Sequence, residues 1–581
     1  MDNKKEKIYK LNNVIISAFG TKSDISKPLI EQNESFKDVV SKDALTEFSE
    51  IKKGAKMDIS VQPKPSFESA MQNLVDKNYA NAICQFAELY KKNPDDFKVL
   101  KCMASALLAI SALYPLNKYL LKDLEKHSDD VDILNIIANS YLGDMKLSSY
   151  RRALPLFEEL VQKNENFDIV YKFMYVLERV YQNEKLDLQI KYAERACELE
   201  KNRGSHNAEI FIAKLYARNG QVDKALKVLD GVPENDKNRF PLHFAKAMIL
   251  MKCGRITEGF DHYRYRFDYE KVSYPVALVP EKRLQNIEDV KGKTVIIHFE
   301  QGFGDSVMFS RYVQDISKYA KKTIFVVQKN LISLFKSSGF EDYCTLLSHE
   351  ADISPDDSMK DDKISRSSKM IVTGAGMARI DHDYHIPLMD TPYLLNISPE
   401  NIGHEEGFLC PSEDKLKNIK KYINKNKKFK IGISFHGTKD SNPTYRDIPV
   451  SKLAPLFEMA GVEVYSLQVD EHSAAITKIQ KRYKNLINLK PHLYDFEDTA
   501  AAMMCMDLIV STDNVVMNLA GALGVRTYGL FNVFSEHRWY KTEGDDIGWY
   551  KSVKPIRAKK FNDWNGVVKE VIKNIKQEFD V

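Results

Sequence analysis

The sequence is poor in paired cysteines, in excess charge and in long apolar runs. Its seven cysteines among 581 residues are scattered singly, without a CxxC pair, which favours reduced thiols in a cytoplasmic protein. The 85 basic and 81 acidic residues leave a net charge of only +4, which argues against nucleic acid or anionic lipid as the main partner. The apolar run at residues 14–19 is too short for a signal core or a membrane span. We therefore expect a cytoplasmic protein that is not inserted into a membrane.

Helical periodicity fills the first half of the chain after a polar segment. Residues 1–62 are polar and lack a sustained period, so we predict that parts of this segment are flexible. Across residues 63–275 apolar residues recur three and four apart, and a pattern of small, large apolar and turn residues that begins at Ala213 recurs 34 positions later at Ala247. That period is typical of tetratricopeptide repeats, of which we count roughly five or six. Their stacked helix pairs predict a groove that binds a protein partner.

After residue 275 the pattern changes to short apolar runs that alternate with helices, which is the signature of parallel α/β sheets. Strands are predicted at residues 294–299, 323–327 and 370–373, and then at 430–435, 462–467, 485–489, 507–511 and 526–531. They form two Rossmann-like halves, residues 276–414 and 415–581, and the lysine-rich stretch at 415–430 has the apolar spacing of a solvated helix. Facing α/β halves bind ligands in the crevice at the carboxyl ends of their strands.

Five sequence motifs follow one another in this second part of the chain. They are Glu-Gln-Gly-Phe-Gly-Asp at 300–305, His-Ile-Pro-Leu-Met at 385–389, Arg-Asp-Ile-Pro at 446–449, Ser-Leu-Gln at 466–468, and Asp-Thr-Ala at 498–500 with Ser-Thr-Asp at 511–513 and Leu-Ala-Gly-Ala-Leu-Gly at 519–524. With these motifs the chain resembles the bacterial tetratricopeptide-repeat glycosyltransferases over roughly residues 67 to 575.

The resemblance implies both a fold and an activity. The fold is an all-α repeat solenoid followed by a GT-B pair of α/β domains, related to the heptosyltransferases and more distantly similar to O-GlcNAc transferase. The activity is a metal-independent, inverting transfer of a sugar from a nucleotide-sugar donor to a hydroxyl of a protein. Flagellin or another surface protein is the acceptor class that the family implies, and the repeats would select it.

The loop at residues 298–305 follows a predicted buried strand and precedes a helix. Gly302 and Gly304 let the backbone approach a bound group closely, and the helix N-terminus points at the same spot. Asp305 has two interpretations: an N-cap for a helix that starts at Ser306 or, by resemblance to the heptosyltransferases, the base that deprotonates the acceptor hydroxyl. His385 is the rival base if it reaches the crevice, although a structural role is commoner beside a proline that we expect to fix a turn.

Candidates for donor binding follow the strands of the second half. Lys439 is the first choice and Arg446 the second for a cation that stabilises the departing diphosphate, as the resemblance to the lysine-bearing donor loop of O-GlcNAc transferase implies. His436 is a packed loop histidine, a phosphate donor or a base. Gln468 ends a strand at the height where GT-B proteins hold the nucleotide base, and its side chain could also only cap the strand.

Asp513 and Asn514 lie between a predicted strand and a helix whose free N–H groups can hold a diphosphate without metal. Relatives usually have Asp-Thr or Asp-Ser, then a small residue and later a histidine, whereas this chain has Asn514, Val515 and Asn518. This departure leaves open a catalytically degenerate protein that binds a client as a scaffold or sensor. A transferase acting on a glycan or lipopolysaccharide is the other alternative, although it would give the repeats no evident use.

No metal is assigned from the sequence. Asp381 and Asp383 match the DxD motif of metal-dependent transferases, but that motif belongs to a different fold and three residues match easily by chance. The aromatic segments at residues 537–540 and 549–550 are explained by packing of the terminal helix against the first half.

Overall fold

The computed structural model describes residues 65–143, 146–182, 184–201, 205–236, 238–268, 280–348, 380–402, 407–437, 446–533, 538–539 and 548–579. The chain divides into two compact units between Asn219 and Gly220. The predicted flexible segment at 1–62 and the predicted strand at 370–373 lie outside the described residues. Among the described residues, no helix combines the length and the apolar composition needed to cross a bilayer.

The described part of the first unit is built from helices that pack on their neighbours along the chain. They are α1 (Phe67–Val75), α2 (Tyr79–Lys92), α3 (Phe97–Ala109), α4 (Leu113–Pro115), α5 (Leu121–Glu125), α6 (Val131–Ser140), α7 (Leu147–Lys163), α8 (Phe167–Tyr181), α9 (Leu186–Glu200) and α10 (Asn207–Arg218). Side chains of Ser66, Asp96, Asp130 and Asn166 accept hydrogen bonds from the first turns of α1, α3, α6 and α8. The apolar faces of consecutive helices bury one another.

The second unit begins with three more helices, α11 (Val222–Asp230), α12 (Arg239–Lys252) and α13 (Ile256–Tyr263). Gly220 and Gly254 precede α11 and α13, and both have a positive φ, of 77° and 79°. A Cβ at Gly259 would lie 2.4 Å from Cγ of Met251, so α12 and α13 can cross this closely only at a small residue. A turn glycine and a small residue at the crossing are the features that the 34-residue pattern predicts.

Two parallel sheets follow in the second unit. The first has the strand order β3-β2-β1-β4 and is formed by β1 (Thr294–His298), β2 (Lys322–Val327), β3 (Thr345–Ser348) and β4 (Tyr384–Pro387). The second has the order β10-β9-β8-β5-β6-β7 and is formed by β5 (Phe429–Ser434), β6 (Val462–Ser466), β7 (Leu486–Asn488), β8 (Leu508–Thr512), β9 (Thr527–Phe531) and β10 (Val553–Arg557). Their central strands are buried on both faces, as parallel strands covered by helices are.

The remaining helices connect and cover these strands. They are α14 (Phe303–Phe309), α15 (Val313–Tyr319), α16 (Ile332–Ser337), α17 (Thr391–Leu394), α18 (Glu413–Ile419), α19 (Ala454–Phe457), α20 (Ser473–Gln480), α21 (Phe496–Met503), α22 (Val515–Ala522) and α23 (Trp564–Phe579). One apolar core joins the first sheet to the inner face of the second, and a separate core lies between the second sheet and α23.

The structure refines two local predictions. Pro387 is the last residue of β4, an edge strand of its sheet, and it is also the N-cap of the 3₁₀ turn Leu388–Asp390, so the predicted turn directly follows a strand. The lysine-rich stretch is α-helical to Ile419 and 3₁₀-helical from Lys420 to Tyr422, and it reaches a strand at Phe429. Its Lys415 does not extend into solvent, because the Nζ atom pairs with Asp495 and Asp498 at 3.1 and 2.8 Å.

Candidate active site

A cleft of about 440 Å³ lies at the carboxyl ends of strands from both sheets. Its walls are formed by the segments that follow β1, β5, β6 and β8. The predicted site residues that line it are Gly302, Gly304, Asp305, His436, Arg446, Gln468, Asp513, Asn514 and Asn518. The topology of the two sheets therefore brings together residues that are more than 200 positions apart in the sequence.

Both carboxylate oxygens of Asp305 contact other groups of the protein. The helix α14 begins at Phe303, three residues earlier than predicted, so Asp305 lies inside its first turn. Its Oδ2 accepts a hydrogen bond from the Gly302 N–H at 3.1 Å, and its Oδ1 lies 2.8 Å from Nη2 of Arg538. Asp305 thus caps the helix from within its first turn, and its other oxygen pairs with a guanidinium.

Arg538 is a residue of the cleft whose role the sequence did not reveal. It lines the cavity beside Asp305, and its Nη2 also lies 3.4 Å from Oε1 of Gln301. Its carbonyl oxygen accepts the indole N–H of Trp549 at 2.8 Å, which ties the Arg538 backbone to a buried aromatic side chain. The terminal helix α23 packs against the second sheet, so its predicted packing against the first half is wrong. Trp549 instead contacts Phe309 of the first half, and Arg538 presents a cation to Asp305 on the opposite side of the cleft.

The two helices that begin at the cleft, α14 and α22, touch at Gly304. A Cβ at this position would lie 3.2 Å from Nδ2 of Asn518 and 3.7 Å from Cα of Val515. Asn518 itself donates to the Asn514 carbonyl at 3.2 Å, and its Oδ1 lies 3.4 Å from the hydroxyl of Tyr550, whose pKa is raised to about 12 by burial. Gly304 therefore allows both helix N-termini to meet at the same place.

The loop after β8 is fixed by hydrogen bonds of Asn514. This residue is the N-cap of α22, with its Oδ1 accepting from the Val516 N–H at 2.8 Å. Its Nδ2 donates to Oγ of Ser434 at 3.0 Å, which joins the ends of β8 and β5. Asp513 is buried, and its Oδ2 lies 3.8 Å from Nη1 of Arg446. Arg446 and the N-terminus of the eight-residue helix α22 therefore lie together at the wall formed by the ends of β5 and β8.

Gln468 holds the loop that follows β5. Its Oε1 accepts from the N–H groups of Phe435 and His436 at 3.1 and 3.2 Å, and its Nε2 donates to the His436 carbonyl at 3.1 Å. The side chain is nearly fully buried. These contacts match the strand-capping interpretation and fix the position of His436 in the cleft.

His436 lies among acidic groups and a second imidazole. Its Nε2 is 3.2 Å from Oδ2 of Asp447, its Nδ1 contacts the Gly437 carbonyl oxygen, and Oδ2 of Asp470 is 3.8 Å from the same nitrogen. The ring of His472 stacks on it with a centroid distance of 3.3 Å. Neither Asp470 nor His472 was singled out in the sequence.

A buried charge network supports the loop that carries Asp305. Arg266 binds both oxygens of Glu300 at 2.7 Å and Oδ1 of Asp390 at 2.7 Å, while Arg283 binds Oδ2 of Asp390. Burial alone would lower the pKa of Arg266, but the charges of Asp390 and Glu300 raise it. Glu300 also accepts the Met389 N–H at 2.9 Å, so two groups, the Arg266 guanidinium and this N–H, hold the first residue of the motif.

One predicted candidate lies away from the cleft, and another lies outside the described residues. His385 has no exposed surface, because it lies within β4 beside β1, with its ring 5.6 Å from that of His298. Burial lowers the pKa of His298 to about 4. Lys439 lies outside the described residues, so its prediction stays untested.

Comparisons with known proteins return glycosyltransferases among solved structures. The chain is similar to the ADP-heptose lipopolysaccharide heptosyltransferase II of E. coli, with 12% identity, 49% of this chain and 99% of that chain covered and a TM-score of 0.34. It is similar to a family 9 glycosyl transferase from Veillonella parvula, with 11% identity, coverage of 50% and 97% and a TM-score of 0.35. For an O-GlcNAc transferase from Thermobaculum terrenum the identity is 10%, the coverage 87% and 88%, and the TM-score 0.28. These are the groups that the sequence motifs resemble.

No protein-family model matches the chain. One curated relative is Protein FlbA of Caulobacter vibrioides, which is 25% identical over 360 residues, or 59% of this chain. The match spans 57% of the length of that relative.

Proposed function

We propose that the protein is a cytoplasmic glycosyltransferase that moves a sugar from a nucleotide-sugar donor to a hydroxyl of a protein. In this proposal residues 63–275 form a tetratricopeptide-repeat solenoid that selects the acceptor, and residues 276–414 and 415–581 are the two halves of a GT-B catalytic region. The observation that carries the proposal is the cleft, where four strand ends from two parallel sheets bring the motif residues together. All seven cysteines are free thiols, in keeping with a cytoplasmic location.

The wall formed by β5 and β8 suits the donor diphosphate. The N-terminus of α22 lines the cleft at Val515 and Val516, and Arg446 adds a positive charge nearby. Such groups stabilise the negative charge that develops on a leaving diphosphate without a metal ion. Lys439 belongs to the segment that follows this wall and stays the predicted first-choice cation.

The opposite wall suits the acceptor. Asp305 lines this wall of the cleft, and a carboxylate can take the proton of an attacking hydroxyl in an inverting displacement. Arg538 and the Gly302 N–H orient it. Because His385 is fully buried in the sheet, we assign the base to Asp305.

The helical repeats indicate which class of acceptor the protein uses. Stacked amphipathic helices present an extended surface that fits a protein segment better than a single sugar or lipid head group. A protein acceptor is therefore favoured over a glycan, and flagellin or another surface protein is the class suggested by the motif resemblance.

The test is a donor screen with matched variants. Purified protein is incubated with UDP, GDP, CMP and ADP sugars and a lysate of its native cell, and intact masses of lysate proteins are recorded. We expect one donor to add a sugar mass to a protein, Asp305→Asn to abolish the addition, and Asp315→Asn, an exposed carboxylate on α15 paired with Lys318, to leave it unchanged. Transfer by Asp305→Asn at the wild-type rate would refute the assigned base.

A catalytically degenerate binding protein is the second candidate. It is favoured by the contacts of Asp305, whose oxygens are occupied by Arg538 and Gly302, and by the amides that stand at Asn514 and Asn518. Nucleotide binding without sugar transfer for every donor would select this candidate over the enzyme.

A further inference from the structure

Three side chains with metal-binding groups meet beside the cleft, which two of them, His436 and Asp470, line. His436 follows β5, and Asp470 and His472 follow β6. One ligand atom from each residue lies within 4.8 Å of the others. Two imidazoles and one carboxylate form the donor set that divalent transition metals prefer, whereas magnesium and calcium prefer oxygen ligands alone.

The distances between these atoms are close to those of a coordination shell. Zinc binds nitrogen at about 2.0–2.1 Å and carboxylate oxygen at about 2.0–2.2 Å, so tetrahedral ligands lie roughly 3.3 Å apart. In the protein, Oδ2 of Asp470 is 3.2 Å from Nδ1 of His472 and 3.8 Å from Nδ1 of His436. The carboxylate oxygen therefore needs to shift by only a fraction of an ångström to share an ion with either ring.

A second carboxylate, that of Asp447, contacts the other ring nitrogen of His436. Oδ2 of Asp447 is 3.2 Å from Nε2 of His436, on the opposite side of the ring from Asp470. Asp447 is itself held by the Gly437 N–H, which donates to Oδ1 at 3.0 Å. A carboxylate that accepts from the outer nitrogen of a histidine fixes the tautomer in which the inner nitrogen can bind a metal. Nδ1 of His436 would exchange its contact with the Gly437 carbonyl oxygen for the ion.

The charges of the cluster favour a cation. Asp447 and Asp470 place two carboxylates around the histidines, and a divalent ion would balance both. The two rings stack with an interplanar angle of 18°, so one ring must turn for both nitrogens to face one ion. The side chain of His472 is 30% exposed and lies at the start of α20, where such a turn meets little obstruction.

We propose that His436, Asp470 and His472 bind one divalent transition-metal ion of the zinc class, with Asp447 orienting His436 from behind. The partial exposure of all three side chains gives the ion access from the cleft. Its fourth position faces solvent or a molecule in the cleft. The site does not depend on the proposed glycosyl transfer, whose chemical step does not use this ion.

The test measures metal binding by the full chain. Protein stripped with a chelator is titrated with ZnCl₂ by calorimetry, and with CoCl₂ while the visible absorption of bound cobalt is recorded. We expect one ion per chain, at least about tenfold weaker binding for His472→Ala and Asp470→Asn, and about 10–100-fold weaker binding for Asp447→Asn, the usual effect of losing an outer-shell partner. His492→Ala, an imidazole stacked on Tyr422, and Asp414→Asn, an exposed carboxylate, are the matched controls and keep wild-type affinity.

Two results would overturn the proposal. One is a wild-type protein that binds neither ion more tightly than about 100 μM, which would leave hydrogen bonding of His436 between two carboxylates as the explanation of the cluster. The other is an equal loss of affinity in the cluster variants and the controls, which would place the metal elsewhere. If His472→Ala fails to fold, the nearly isosteric Asp470→Asn decides the outcome.

Discussion

Replacing Glu300 by glutamine tests whether the buried charge network supports the cleft. Glu300 and Arg266 have side chains that are each 1% exposed, and two hydrogen bonds of 2.7 Å join them. The formal charges of Arg266, Arg283, Glu300 and Asp390 sum to zero. Glu300→Gln keeps the shape of the side chain but leaves one buried positive charge in excess.

The expected loss of stability is large. Removing one partner of a buried ion pair costs about 3–5 kcal/mol, because the other charge stays desolvated without compensation. The exposed pair of Arg255 and Glu258 has a similar two-bond geometry, with side chains 46% and 53% exposed. Glu258→Gln is thus a matched control, for which we expect a loss of about 0.2–1 kcal/mol.

Tryptophan fluorescence provides the assay. The chain has three tryptophans, Trp539, Trp549 and Trp564, and all of them lie in the second unit with the network. Urea denaturation followed by their emission therefore reports on that unit. The double variant Arg266→Met with Glu300→Leu removes both charges, so it should lie within about 2 kcal/mol of the wild type.

The reasoning fails if Glu300→Gln destabilises the second unit no more than Glu258→Gln does. It also fails if the double variant is less stable than Glu300→Gln, since the cost would then come from lost packing and not from an uncompensated charge.

Three further predictions concern the same unit. Gly521→Ala would place a Cβ 2.4 Å from Cγ of the buried Tyr550 ring, so urea denaturation should show a loss of about 1–3 kcal/mol, while Gly437→Ala, which meets nothing within 4 Å, should show little change. Burial lowers the pKa of His298 to about 4, below the value of about 6.5 in the unfolded chain. The unfolded chain therefore binds the extra proton first, so the free energy of unfolding is highest above pH 6.5 and declines as the pH falls. Between pH 7 and 5 the loss should be about 2 kcal/mol, and His298→Gln should reduce this pH dependence in urea titrations. Arg538→Ala should lower sugar transfer about 100-fold without abolishing nucleotide binding, because Asp305 loses the group that orients it; unchanged transfer would show that the ion pair has no part in the reaction.

The strands of the sheet interiors were predictable from the sequence, whereas among the edge strands only β7 was predicted. Runs such as Ile431 to Ile433 are apolar because both faces are covered, so they stand out without knowledge of the fold. The edge strands β4 and β10 are short and contain Pro387 and Pro555, which argue against a strand when the chain is read locally. Their position at a sheet edge, which makes proline tolerable, is known only from the topology.

The candidate site also combines features that were predictable from the sequence with features that were not. Residues at the ends of predicted parallel strands, such as Gly304 and Asn514, could be placed at one cleft because the carboxyl ends of such strands share an edge. The ion pair between Asp305 and Arg538 joins residues 233 positions apart, and no local pattern marks it. The helix start at Phe303 was also missed, because Asp305 caps the helix from inside its first turn and not from the preceding position.

The most direct test of glycosyl transfer compares the nucleoside diphosphate released with the sugar gained by the acceptor protein. The account predicts equal amounts of the two for the wild type with its preferred donor, and neither product for Asp305→Asn. Tight nucleotide binding with neither product in the wild type, for every donor offered, would contradict the account and leave a binding protein built on a glycosyltransferase-like pair of sheets.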